Sequence, residues 1–99
     1  MKIFTKQKDN VVTLEVEGRL ETGTAPDLDV ALFKILSESK SVVLDFKKLE
    51  YVSSAGLRVL LSAQKSANAH NSTLKIINAN DVVKEVFNLT GFNTILTVS

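Results

Sequence analysis

The 99-residue chain is 44% hydrophobic and 23% charged, the composition of a globular protein with one core and no room for a second. Its formal net charge is +1 with Lys and Arg scattered along it, so there is no concentrated basic face for nucleic acid, and Lys47-Lys48 reads as solvated loop charge. It contains no cysteine, which excludes disulfides, zinc–thiolate sites and cysteine nucleophiles.

In chain order, "KIFTKQ" reads as a short strand, and Lys8-Asp9-Asn10 supplies turn chemistry before a second one. "NVVTLEVEG" places Val12, Leu14 and Val16 on one side and Thr13, Glu15 and Glu17 on the other, the period of a strand with one buried face. The pair is expected to form a hairpin, with Gly18 ending the second strand and "RLETGT" as a loop. A helix follows, capped by Thr24 with Pro26 in its first turn, where a missing N–H costs nothing. Leu28, Ala31, Leu32, Ile35 and Leu36 form its apolar stripe, and residues 37–41 close it. "SVVLDF" is a continuous apolar run suited to a central strand, and "KKLEYV" is a connector anchored by Leu49 and Val52. From about Ser53 a second helix carries Leu57, Leu60, Leu61 and Gln64 on one face. "LKIIN" is another strand. Asn80 or Asp81 caps a third helix that ends at Gly91, and "TILTV" makes a last short strand.

The order β-β-α-β-α-β-α-β predicts one α/β domain over residues 1–99, a mixed sheet with an N-terminal hairpin and parallel crossovers. The N-terminal "MKIFTKQKDN" lacks the apolar stretch of a signal peptide, and no segment approaches the roughly 20 apolar residues of a membrane span. The chain is therefore expected in the cytoplasm, with no direct membrane insertion.

The unusual stretch is "YVSSAGLRVLL", where four very small residues stand directly before a helical run. A serine at a strand-to-helix turn resembles a hydrolase nucleophile, but that motif needs Gly on both sides, and Val52 stands two residues before Ser54. The single histidine, His70, lies further along the same predicted helix, on the order of 24 Å from Ser54, whereas a general base must come within about 3 Å. Asp45, Glu50 and Glu21 lack metal-ligand spacing, and no phosphate-binding glycine loop is present. No catalytic or metal residue is assigned, and no cofactor is expected.

A helix N-terminus has unsatisfied N–H groups, and Ser53 or Ser54 can cap it. Gly56 is not needed for capping and costs helix stability, so its missing side chain implies that a neighbouring element or a partner comes close. A phosphoryl group on Ser54 fits the same place: the fold tolerates an anion there, while a partner packed on the small residues meets bulk and charge.

At these residues a resemblance becomes visible. The element order together with "VVLDFKKLEYVSSAGLRVLL" resembles the STAS domain, and within it the bacterial anti-sigma factor antagonists. Asp45 matches the family's strand-end Asp, Ser54 its phosphorylated serine, and Gly56-Leu57 its Gly-Leu; Gly18, Leu20 and Glu21 resemble its Gly-Glu-Leu-Asp segment. Ser53 replaces the usual Asp, Ala55 the usual second hydroxyl, and Arg58 stands where Gly is common. The resemblance implies a partner-switching regulator that binds an anti-sigma factor with serine kinase activity, is released by phosphorylation at Ser54 and is reset by a serine phosphatase. ATP would belong to the kinase. Ser53 is a second candidate acceptor, and Glu21, Ser53, Ser54, Ala55, Gly56 and Arg58 are the implied partner-binding residues. The alternative is an accessory or scaffold STAS subunit without phosphorylation, for example of a lipid transporter.

Overall fold

The alternating N-terminal segments close into an antiparallel hairpin in the computed structural model, which describes residues 1–39 and 41–99. Strands β1 (Lys2–Lys8) and β2 (Val11–Leu20) pair with Phe4 opposite Glu15, and Asp9 takes the left-handed turn conformation at φ 56°. An ion pair of 2.6 Å joins Lys6 to Glu15 across the hairpin, and the Glu15 carboxylate raises the Lys6 pKa above its ordinary value.

Helix α1 (Ala25–Glu38) leads to β3 (Ser41–Asp45), which pairs in parallel with β2. Next come β4 (Leu49–Val52), α2 (Ser54–Ala69), β5 (Thr73–Ile77), α3 (Asp81–Thr90), a 3-10 turn (Phe92–Thr94) and β6 (Thr97–Val98). The sheet runs β1-β2-β3-β5-β6, with β4 paired to the end of β2, and among the described residues only β1 is antiparallel to its neighbour. The expected fold class is therefore found: a mixed sheet with a leading hairpin and parallel crossovers. Of the predicted closing segment 37–41, Lys40 lies outside the described residues.

Strand alternation decides which face is covered. Leu14 and Val16 from β2, Val42 and Leu44 from β3, and Leu74 and Ile76 from β5 join one core with Leu28, Leu32 and Leu36 of α1, Leu60 and Ala63 of α2, and Val83 and Phe87 of α3. The intervening Thr13, Glu15, Val43, Asp45 and Lys75 lie on the other face, half-buried or exposed. The molecule is thus a two-layer α/β arrangement whose helices share one side of the sheet.

Three expectations about the strands and the α2 stripe are corrected. Gly18 does not end β2: at φ 100° it sits at a register shift, and the strand runs on to Leu20. The segment expected as a connector, 47–52, contains a strand, because Gly18 pairs with Leu49 while Arg19 pairs with Tyr51, leaving Glu50 as an extra residue in β4. The buried stripe of α2 is Gly56, Leu57, Leu60, Ala63 and Ala67, whereas Leu61 and Gln64 are only half-buried. The small residues in that stripe let α2 pack closely on its neighbours.

At the helix starts, Thr24 occupies the cap position of α1, but its side chain does not cap the helix. Asn80 caps α3 by accepting from the Val83 N–H at 2.8 Å, and its amide donates to the Leu49 carbonyl at 3.0 Å. Gly91 ends α3 in the left-handed conformation.

Candidate functional site

The shift at Gly18 turns the end of β2 toward β4 and so brings two loops together at one end of the sheet. Leu20, fully buried, is the hinge pin between them. Its carbonyl accepts from the Ser53 N–H at 2.8 Å, which ties the loop after β4 to the end of β2. A Cβ added to Gly56 would lie 2.7 Å from Leu20 Cγ and 3.1 Å from Leu20 O. Of the two occupants the sequence allowed beside Gly56, the neighbouring element is present: Leu20 packs on it, and Gly56 is buried.

The two serines divide their roles by backbone conformation. Ser53 is extended (φ −90°, ψ 176°), the geometry of an N-cap, and its Oγ accepts from the Gly56 N–H at 3.4 Å. Ser54 is the first helical residue and does not occupy the cap position. The residue is exposed, and its hydroxyl makes no hydrogen bond with another described residue. Ala55 is half-buried beside it, and Arg58, one turn on, is exposed and makes no ion pair with another described residue.

The loop from β2 to α1 forms the opposite wall. Thr24 Oγ1 accepts from the Glu21 N–H at 2.9 Å and donates to the Arg19 carbonyl at 2.7 Å, locking the turn that presents Glu21. The Glu21 carboxylate pairs with Arg19 at 3.2 Å, and the Arg19 guanidinium lies 4.7 Å from the centroid of the Tyr51 ring. Between α1 and α2 runs a shallow groove of about 320 Å³ lined by Pro26, Asp29, Ala55, Arg58, Val59 and Ser62. Glu21, Ser53, Ser54, Ala55 and Arg58 therefore share one end of the molecule.

The residues weighed for other chemistry are engaged elsewhere. Asp45 accepts from the Lys47 N–H at 3.0 Å and from the Asn78 amide at 3.1 Å, which makes it the organiser of the turn after β3. His70 is exposed at the C-terminal end of α2, with Nδ1 2.8 Å from the Ser66 carbonyl. Among the described residues, no three His, Cys, Asp or Glu side chains come together in a way that could hold a metal ion, and no helix is long and apolar enough to cross a membrane.

Residues 3–97 match the family described as Mlab, STAS domain. The Bordetella bronchiseptica protein BtrV, a candidate anti-sigma factor antagonist, is 31% identical over 100% of this chain and 86% of its own length. The chain belongs to the STAS domain family, with anti-sigma factor antagonists as its relatives. Structural likeness covers the whole STAS fold. A candidate anti-sigma factor antagonist from Thermotoga maritima superposes with a TM-score of 0.90 at 22% identity, over 97% of this chain and 84% of that one. The Bacillus cell fate determinant SpoIIAA in its phosphorylated form gives a TM-score of 0.76 at 13% identity, over 99% of this chain and 91% of that one.

Sequence reasoning missed three parts of this STAS site. The Arg19–Tyr51 stack depends on β4 being a strand, and the extra residue at Glu50 hid that strand. The packing of Leu20 on Gly56 and the groove along Asp29 and Ser62 are contacts between distant segments, for which the chain offers no local signal. The one available hint was the expectation that something must approach Gly56.

Proposed function

We propose that this chain is a partner-switching regulator of the anti-sigma factor antagonist type. Unmodified, it binds an anti-sigma factor that is also a serine kinase, through Glu21, Ser53, Ser54, Ala55 and Arg58, with Gly56 setting the height of the helix beneath them. The kinase transfers the terminal phosphoryl group of its ATP to Ser54 Oγ. An O–P bond forms at the serine as the bond to the leaving ADP breaks, and the hydroxyl proton passes to a base of the kinase. The phosphorylated domain leaves, and a serine phosphatase restores it. On this reading the chain itself is not an enzyme, binds no cofactor and works in the cytoplasm.

The observation that carries the proposal is the division of labour between the serines. Ser53 caps α2 while the Ser54 hydroxyl is exposed and takes no part in the cap, so a phosphoryl group there would leave the cap hydrogen bond in place. The relatives' names point the same way: BtrV is a candidate anti-sigma factor antagonist, and SpoIIAA has a phosphorylated form.

The test is intact and fragment mass after incubation with native-host lysate and Mg-ATP, beside Ser54→Ala. One phosphoryl group on Ser54 that is absent from the variant supports the switch. No label, while a known kinase substrate is labelled in the same lysate, favours the accessory or scaffold role. Label on Ser53 would reassign the acceptor.

A further inference from the structure

Arg58 has no described partner, although it is placed to have one. The other arginine of this site, Arg19, is held by Glu21 and by the Tyr51 ring. Arg58 makes no ion pair with any described residue, including Asp29, the acidic residue lining the same groove.

Ser54 and Arg58 are both exposed on α2 and four residues apart. That spacing puts their Cβ atoms about 5–6 Å apart on one helix face. Helical side chains lean toward the N-terminus, which puts Ser54 within the reach of the long Arg58 side chain. Leu57, the other residue one turn from Ser54, is only 6% exposed and packs in the core. An acidic group four residues before a basic one is also the favoured order for such a pair.

We infer that Arg58 is the receptor for a phosphoryl group on Ser54, closing a phosphoserine–arginine pair along the first turn of α2. This rests on the phosphorylation reading above. The phosphate brings about −1.5 to −2 charges, and the planar guanidinium offers it two parallel N–H donors. Phosphorylation then acts twice on a bound partner. It places bulk at Ser54, and it withdraws the Arg58 cation from the groove it shares with Asp29, where an acidic group of the partner would meet it.

The test uses the full chain with phosphoserine inserted at position 54 during translation, so its result does not depend on any kinase. Phosphorus NMR follows the second ionisation of the phosphate in the otherwise wild-type chain, in Arg58→Gln and in Arg58→Lys, while proton–nitrogen spectra follow the Arg58 Nε–H. A nearby cation favours the dianion, so Arg58→Gln is expected to weaken the second ionisation roughly two- to fivefold. Arg58→Lys, which keeps charge without the fork, should fall between. The Arg58 Nε–H signal should move on phosphorylation. Equal ionisation in the wild-type and Arg58→Gln backgrounds, with that signal unmoved, overturns the pair. Labelling in lysate is scored separately: its failure removes the phosphorylation reading and says nothing about whether an installed phosphate meets Arg58.

Discussion

Two neighbouring hydroxyls at the start of α2 have different physical duties, and substitution should separate them. Removing the Ser53 side chain leaves the Gly56 N–H without its acceptor, so Ser53→Ala is expected to destabilise the fold by about 0.5–2 kcal/mol. Ser54→Ala removes an exposed group with no described partner and should stay within about 0.5 kcal/mol of wild type. Denaturant unfolding of the pair decides the assignment, and equal losses would show that both hydroxyls serve the cap. The sequence left this open because both serines precede the same helix, and only the backbone angles of Ser53 settle which one caps. Gly56 is a similar case. Ala at that position gains about 0.5–1 kcal/mol of helix preference, but its Cβ would press on Leu20, which is fully buried and has nowhere to go. Overpacking of that kind costs about 1–3 kcal/mol, so Gly56→Ala should be a net loss on the order of 1 kcal/mol. A stabilised variant would mean that Leu20 can move aside.

At the scale of elements, the site depends on the fork where β2 leaves β3 and takes up β4. Gly18 makes the fork possible, since its φ of 100° is open to glycine and strained for any other residue. Gly18→Ala is expected to cost about 1–2 kcal/mol and to disturb the pairing of Arg19 with Tyr51. Amide exchange in β4 that is no faster than in wild type would show that the fork survives the change. The fork also shows what could be read from the chain and what could not. Alternation in β2 and the apolar run of β3 place those strands from local pattern alone. β4 escaped because its inward residues, Leu49 and Val52, are three apart: the extra Glu50 breaks the period of two by which a strand is recognised. Asn80 supports the same region from α3. Asn80→Asp keeps the cap on Val83 but sets a carboxylate oxygen against the Leu49 carbonyl where the amide donated, so denaturant unfolding should show a loss of about 0.5–1.5 kcal/mol despite the favourable charge at the helix start.

For the whole molecule, the sheet and core lie beneath the Ser54 end, and no described contact of the Ser54 hydroxyl carries a change there into them. Charge at Ser54 is therefore expected to act on association and to leave the fold as it is. Ser54→Asp should shift Tm by less than about 4 °C, the equivalent of about 0.5 kcal/mol in a domain of this size. Its hold on the partner should weaken about tenfold or more, since a carboxylate enclosed in an interface loses solvation that the partner does not replace. Ser54→Asn, nearly the same shape without the charge, should keep most of the binding. Wild type, Asp and Asn forms immobilised side by side in native-host lysate, with quantitative mass spectrometry of what each retains, would read this directly. A kinase-bearing partner held by the wild-type and Asn forms and lost from the Asp form supports switching by charge. Equal loss from both variants would make shape the decisive term, and equal retention by all three would mean that the partner does not sit on this end of the sheet.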